Sequence, residues 1–92
     1  MSNETQNEVV IYGSSWCGYT VRALRQLENL GVVHRYVDVD EDPEAEQLIA
    51  SWNNGRSIRP TISVNGNVFV NPSPAVLHAE LEKHGFLPAE TA

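Results

Sequence analysis

The sequence holds a single cysteine, Cys17, among 92 residues. No disulfide can close within the chain, which excludes a cystine-stapled secreted scaffold and makes a reducing, cytoplasmic location the expectation. Long apolar runs are missing too, so no segment approaches the ~20 residues that span a bilayer. Met1 to Glu8 is polar and acidic, unlike a signal peptide, in which charge precedes an apolar stretch. Positive charge is scarce. Six Lys and Arg stand against twelve Asp and Glu, a net charge of −6, so the basic footprint that nucleic acid or an anionic membrane requires is lacking. His34, His78 and His84 lie far from any second cluster of ligand-type residues, and no metal site is expected.

What is present suits one domain. A chain of this size buries roughly 60–65 % of its unfolded surface and can fold without disulfides or a structural metal. The domain is expected over residues 8–87, between flexible tails at 1–7 and 88–92. Val9-Val10-Ile11-Tyr12 is a continuous β-prone run ended by Gly13 and reads as a strand buried on both faces. From Gly18 to Leu30, Val21, Leu24, Leu27 and Leu30 recur at every third position before Gly31, which predicts an amphipathic helix. Arg35 to Val39 alternates as a second strand. Asp42-Pro43 then opens a helix whose apolar positions are Ala45, Leu48, Ile49 and Trp52, with Trp52 expected in the core. Thr61–Val64 and Asn67–Val70 flank Asn65-Gly66, a tight-hairpin signal. Ser73-Pro74 caps a last helix carrying Val76, Leu77 and Leu81, which stops near Gly85.

The order is β-α-β-α-β-β-α. Two strands joined through a helix pair in parallel by a right-handed crossover, and the hairpin completes a mixed four-stranded sheet flanked by helices, an α/β fold. In such sheets sites gather at the carboxyl ends of strands, where Cys17 falls. A thiol between a strand end and a helix start meets unpaired N–H groups and the positive end of a helix dipole, both of which favour thiolate. Six of the twelve acids, Asp38, Asp40, Glu41, Asp42, Glu44 and Glu46, lie within nine residues. They read as a solvated loop plus acids at a helix N-terminus.

These residues also carry a resemblance. Trp16-Cys17-Gly18-Tyr19-Thr20 after a first strand, with Ile58-Arg59-Pro60-Thr61 ahead of a hairpin, resembles the glutaredoxin branch of the thioredoxin-like fold over roughly Val9 to His84. Within it, Ser15-Trp16-Cys17-Gly18-Tyr19 and Asn71-Pro72-Ser73 are most similar to mycoredoxins, which work with mycothiol. The resemblance implies a thiol-disulfide oxidoreductase acting on mixed disulfides of proteins or small molecules. Cys17 matches the nucleophile, and Pro60 matches the family's cis-proline, with the Arg59 backbone offered to a bound thiol or peptide. Asn71, Pro72 and Ser73 replace the paired glycines and acid that hold glutathione in other members. The implied co-substrate is therefore a low-molecular-weight thiol, mycothiol ahead of glutathione or bacillithiol, and the implied assembly is a monomer.

Thr20 occupies the place of the second cysteine of dithiol members. Internal resolution of a mixed disulfide at Cys17 is then impossible, and an external thiol must finish the reaction. Thr20 is either the native residue or a replacement of a resolving cysteine. Its hydroxyl bonds either the thiolate or a backbone group. Arg56 and Arg59 either draw the carboxylates of the small thiol or solubilise a loop, and Trp16 and Tyr19 either shape the cleft or simply pack. Two rival functions remain. Single-cysteine members can bridge an iron–sulfur cluster between two chains, although their usual Cys-Gly-Phe-Ser differs at Tyr19 and Thr20. Electron donors to ribonucleotide reductase share the fold but use two cysteines, against which Thr20 speaks directly.

Overall fold

The structure, a computed structural model, describes residues 7–87. The expected tails therefore lie outside the described residues, apart from Asn7, whose N–H donates to Asn65 Oδ1 at 2.7 Å. Along the chain run β1 (Val9–Gly13), α1 (Gly18–Leu30), β2 (Arg35–Asp38), α2 (Pro43–Trp52), β3 (Thr61–Val64), β4 (Asn67–Val70) and α3 (Pro74–Lys83). The sheet order is β2-β1-β3-β4. β1 pairs in parallel with β2 and antiparallel with β3, which continues antiparallel into β4, so the expected thioredoxin-like, mixed four-stranded sheet is present.

Every residue of β1 is buried because the strand is central and covered on both faces. Val9 and Ile11 join Ala23, Leu27, Ile62, Val64, Leu77 and Leu81 in one core. Val10 and Tyr12 point the other way, into a second core with Val39, Ala45 and Ile49. This follows from the period of two along a strand. Asn65 (φ 53°) and Gly66 (φ 85°) both adopt the left-handed backbone that a two-residue hairpin turn of this hand requires.

The helices depart from expectation in detail. On α1 the buried line is Thr20, Ala23 and Leu27, while Leu24 and Leu30 pack only partly against the core and Val21 is half-buried. Three steps of three residues rotate a helical stripe through about 180°, so Val21 and Leu30 cannot both face the sheet. On α2 the inward residues are Ala45 and Ile49, whereas Leu48 lies outside. Trp52, expected in the core, is 38 % exposed. It is the last residue of the helix and meets Tyr12 in an edge-to-face contact, 5.5 Å between ring centroids. Val76 is likewise exposed beside buried Leu77 and Leu81 on α3.

Helix ends are closed as the sequence indicates. Asp42 caps α2 by accepting from Ala45 N–H at 3.1 Å, and Ser73 Oγ caps α3 by accepting from Val76 N–H at 3.2 Å. Gly31 (φ 71°) terminates α1, with its N–H on Glu28 O and Val32 N–H on Leu27 O.

Candidate active site

The parallel register sets Gly13 beside Asp38, so the turn after β1 and the turn after β2 leave the same end of the sheet. The first turn delivers Cys17 as the N-cap of α1, with its N–H on Ser14 O at 3.0 Å and its carbonyl accepting from Val21 N–H. Facing it is the cis peptide between Arg59 and Pro60. The Cys17 thiol lies 3.7 Å from Arg59 O, a sulfur hydrogen bond across the cleft. Pro60 O in turn accepts from Asn71 N–H at 2.8 Å, which brings the start of Asn71-Pro72-Ser73 to the same wall.

Thr20 stands under the cysteine, fully buried, with Oγ1 accepting from Ser14 N–H at 3.4 Å. Both readings of its hydroxyl therefore hold together: it accepts from the backbone and also bonds Cys17 Sγ. Partial burial pushes the Cys17 thiol up. The N–H and hydroxyl of Thr20, the N–H of Tyr19 and the charge of Arg59 outweigh that, so the thiol ionises below its ordinary range. Tyr36 is tied to the same region. Its phenol is raised chiefly by burial, then by Asp38, Asp40 and the Cys17 thiolate.

The remaining expected residues divide. Trp16 is 71 % exposed, and its Nε1–H donates to Asp40 Oδ2 at 2.7 Å. Tyr19 is exposed, with the Arg22 guanidinium 5.0 Å above its ring. Packing in a core is thus not the role of either. Arg59 is mostly buried, and Nη2 reaches both Asp40 Oδ1 (3.4 Å) and Glu46 Oε2 (3.2 Å). Its Nη1 donates to Ser57 O and Oγ. Arg56 is exposed, and its side chain makes no hydrogen bond or ion pair among the described residues. The hydroxyl of Ser73 is used as the α3 cap.

Four residues of the site are missed by the sequence reading. Gly13 reads there only as a strand end, and Ser14 is not singled out, yet Ser14 contributes both its carbonyl and its N–H to the turn. Asp40 and Glu46 belong to the acidic run read as solvated. The available signal was topological: a parallel β1–β2 pair must bring the loop after β2 next to the loop holding Cys17. Among the described residues, no group of three or more His, Cys, Asp or Glu is disposed to hold a metal ion.

Residues 9–69 match the family model for glutaredoxin. The chain belongs to the glutaredoxin family. It is 35 % identical over 77 residues to Mycoredoxin 1 of Corynebacterium glutamicum, covering 83 % of this chain and 95 % of that protein. To Rv3198A of Mycobacterium tuberculosis, which bears a glutaredoxin name, it is 32 % identical over 76 residues, covering 82 % and 90 %. The crystal structure of a glutaredoxin from Archaeoglobus fulgidus shares the fold, with a TM-score of 0.73 at 20 % identity over 88 % of this chain and 96 % of that one. As a glutaredoxin, the chain is a thiol-disulfide oxidoreductase. No helix among the described residues is long and apolar enough to cross a membrane.

Proposed function

We propose that this glutaredoxin reduces mixed disulfides by a monothiol cycle through Cys17, with mycothiol favoured over glutathione and bacillithiol as co-substrate. The observation that carries the reading is a lone, activated thiol facing the Arg59 carbonyl at 3.7 Å, with buried Thr20 where a resolving thiol would sit. Likeness to Mycoredoxin 1 supports the choice of thiol.

In the first step the Cys17 thiolate attacks the small-thiol sulfur of a mixed disulfide. A new S–S bond forms at Cys17, the old one breaks, and the target sulfur leaves as thiolate and takes a proton from water. In the second step a small-molecule thiolate attacks the small-thiol sulfur now bound to Cys17. Cys17 leaves as thiolate, and the small thiol departs as its own symmetrical disulfide. One free small thiol is thereby oxidised for each mixed disulfide reduced, and it leaves joined to the small-thiol group that the target had carried.

The hydrogen bonds around Sγ act mainly in the second step. Lowering a thiol's ionisation point raises its thiolate fraction at neutral pH, but a Brønsted slope of ~0.4–0.5 gives much of that back as weaker nucleophilicity. A stabilised thiolate leaves faster with no such offset. Thr20 as the native residue is supported by its fit, since its hydroxyl serves the Ser14 N–H and Sγ at once.

The test is to mix the protein with a small mixed disulfide and no reducing thiol, quench, and weigh it. One adduct at Cys17 is expected, discharged on adding the co-substrate thiol. Absence of the adduct, or an adduct that no small thiol removes, would contradict the cycle.

A further inference from the structure

The Arg59 side chain is the cation whose charge acts on Cys17, and it is not free to meet a ligand. Its Nη2 is shared between two carboxylates, Asp40 and Glu46, and its Nη1 is taken up by Ser57. The Arg59 side chain is also only 17 % exposed, whereas those of Asp40 and Glu46 are 38 % and 46 % exposed. The cluster thus presents carboxylate, not guanidinium, to the solvent beside the nucleophile. Its formal charge is one net negative. Asp40 is fixed in place from the other side by Trp16 Nε1–H, from the residue adjoining Cys17. Arg56, three residues before Arg59, is exposed but is not among the groups that act on the Cys17 thiol.

We propose that Asp40 and Glu46 set the charge preference of the thiol site, occupying Arg59 so that uncharged thiols are accepted ahead of anionic ones. The assignment rests on the small-thiol reading above and explains how one binding wall distinguishes its candidates. Mycothiol, an N-acetylcysteinyl amino-sugar linked to inositol, carries no carboxylate. Glutathione and bacillithiol do, and each would bring a negative group up to a cluster that is already negative. Asp40 and Glu46 touch neither sulfur nor the reacting atoms, so they are positioning residues that act through Arg59.

The test uses Asp40→Asn, Glu46→Gln and the double variant, which keep hydrogen-bond acceptors for Arg59 while removing the charges. Two ratios are read. The first is the rate of Cys17 alkylation by iodoacetate relative to iodoacetamide, an anionic and a neutral reagent of the same size, each normalised to free cysteine. The second is kcat/KM for glutathione relative to its glycine monoethyl ester, which has one carboxylate fewer and is net-neutral. Each ratio cancels any common change in thiol reactivity, which a merely structural effect would produce. A charge a few ångströms away in a half-solvated site changes such a ratio by about 3- to 10-fold. We expect both ratios to rise by that factor in the double variant and the effect to shrink at high salt.

An alkylation ratio unchanged within twofold in the double variant would overturn the proposal whatever the turnover. A ratio that rises as expected, in a protein that turns over with no small thiol, would establish the charge screen and reject the small-thiol reading on which its purpose rests.

Discussion

Gly13 and Thr20 share one space at the floor of the site: a β-carbon placed on Gly13 would lie 2.5 Å from both Cγ2 and Oγ1 of Thr20. The last residue of β1 is thus kept bare so that a fully buried threonine in the first turn of α1 can stand beneath the cysteine. Strand end, helix start and nucleophile are set by one contact.

Gly13→Ala is therefore expected to lower stability by about 1–3 kcal/mol, the usual cost of overpacking, and to move Thr20 away from Sγ. Urea unfolding and thiolate absorbance near 240 nm report the two effects. Because Thr20→Ala removes both clashing atoms, the double variant should lose less than the sum of the singles. Simple additivity would show that the two residues do not compete for space.

Thr20→Ala should raise the pH at which Cys17 ionises, since one of the hydrogen bonds to the thiolate is lost, while the N–H groups of Thr20 and Tyr19 remain. It also leaves the buried Ser14 N–H without its partner, at a cost of about 1–3 kcal/mol. Thr20→Ser keeps the hydroxyl and should stay close to wild type in ionisation. An iodoacetamide rate profile against pH separates the three proteins.

Stability should follow pH in a direction set by Cys17. Its thiol ionises more readily folded than unfolded, so between the two ionisation points the unfolded state holds the extra proton. The resulting stabilisation is present above the unfolded thiol's value and is lost as pH falls through the folded one. Wild type measured against Cys17→Ser, by urea midpoint across this range, should gain stability as pH rises and then level off. A flat difference would mean that the thiolate is not favoured by the fold.

Much of the fold was legible because its signals are local. Val9 to Tyr12 announces a central strand by its unbroken apolar run, and Asn65-Gly66 announces its hairpin through the backbone it must adopt. The inward line of α1 was harder to read. Thr20 and Ala23 are buried with Leu27 while Leu24 and Leu30 are only partly so, because the helix pitch, and not apolar spacing alone, decides which residues face the sheet. Cys17 and Pro60 could be placed opposite each other from motif and topology. The pairing of Arg59 could not, since its partners lie 19 and 13 residues away and look like members of an ordinary acidic surface run. The bare Gly13 carries no mark of its own either, because its purpose is the volume of a side chain on the next element.

The central claim is that Cys17 alone carries turnover, with an external small thiol completing the cycle. It is tested most directly by steady-state reduction of a small mixed disulfide, comparing wild type with Cys17→Ser and mycothiol, glutathione and bacillithiol as the resolving thiol. The account predicts turnover by wild type, fastest with mycothiol, and its loss in Cys17→Ser with every thiol. Turnover that survives Cys17→Ser would contradict it.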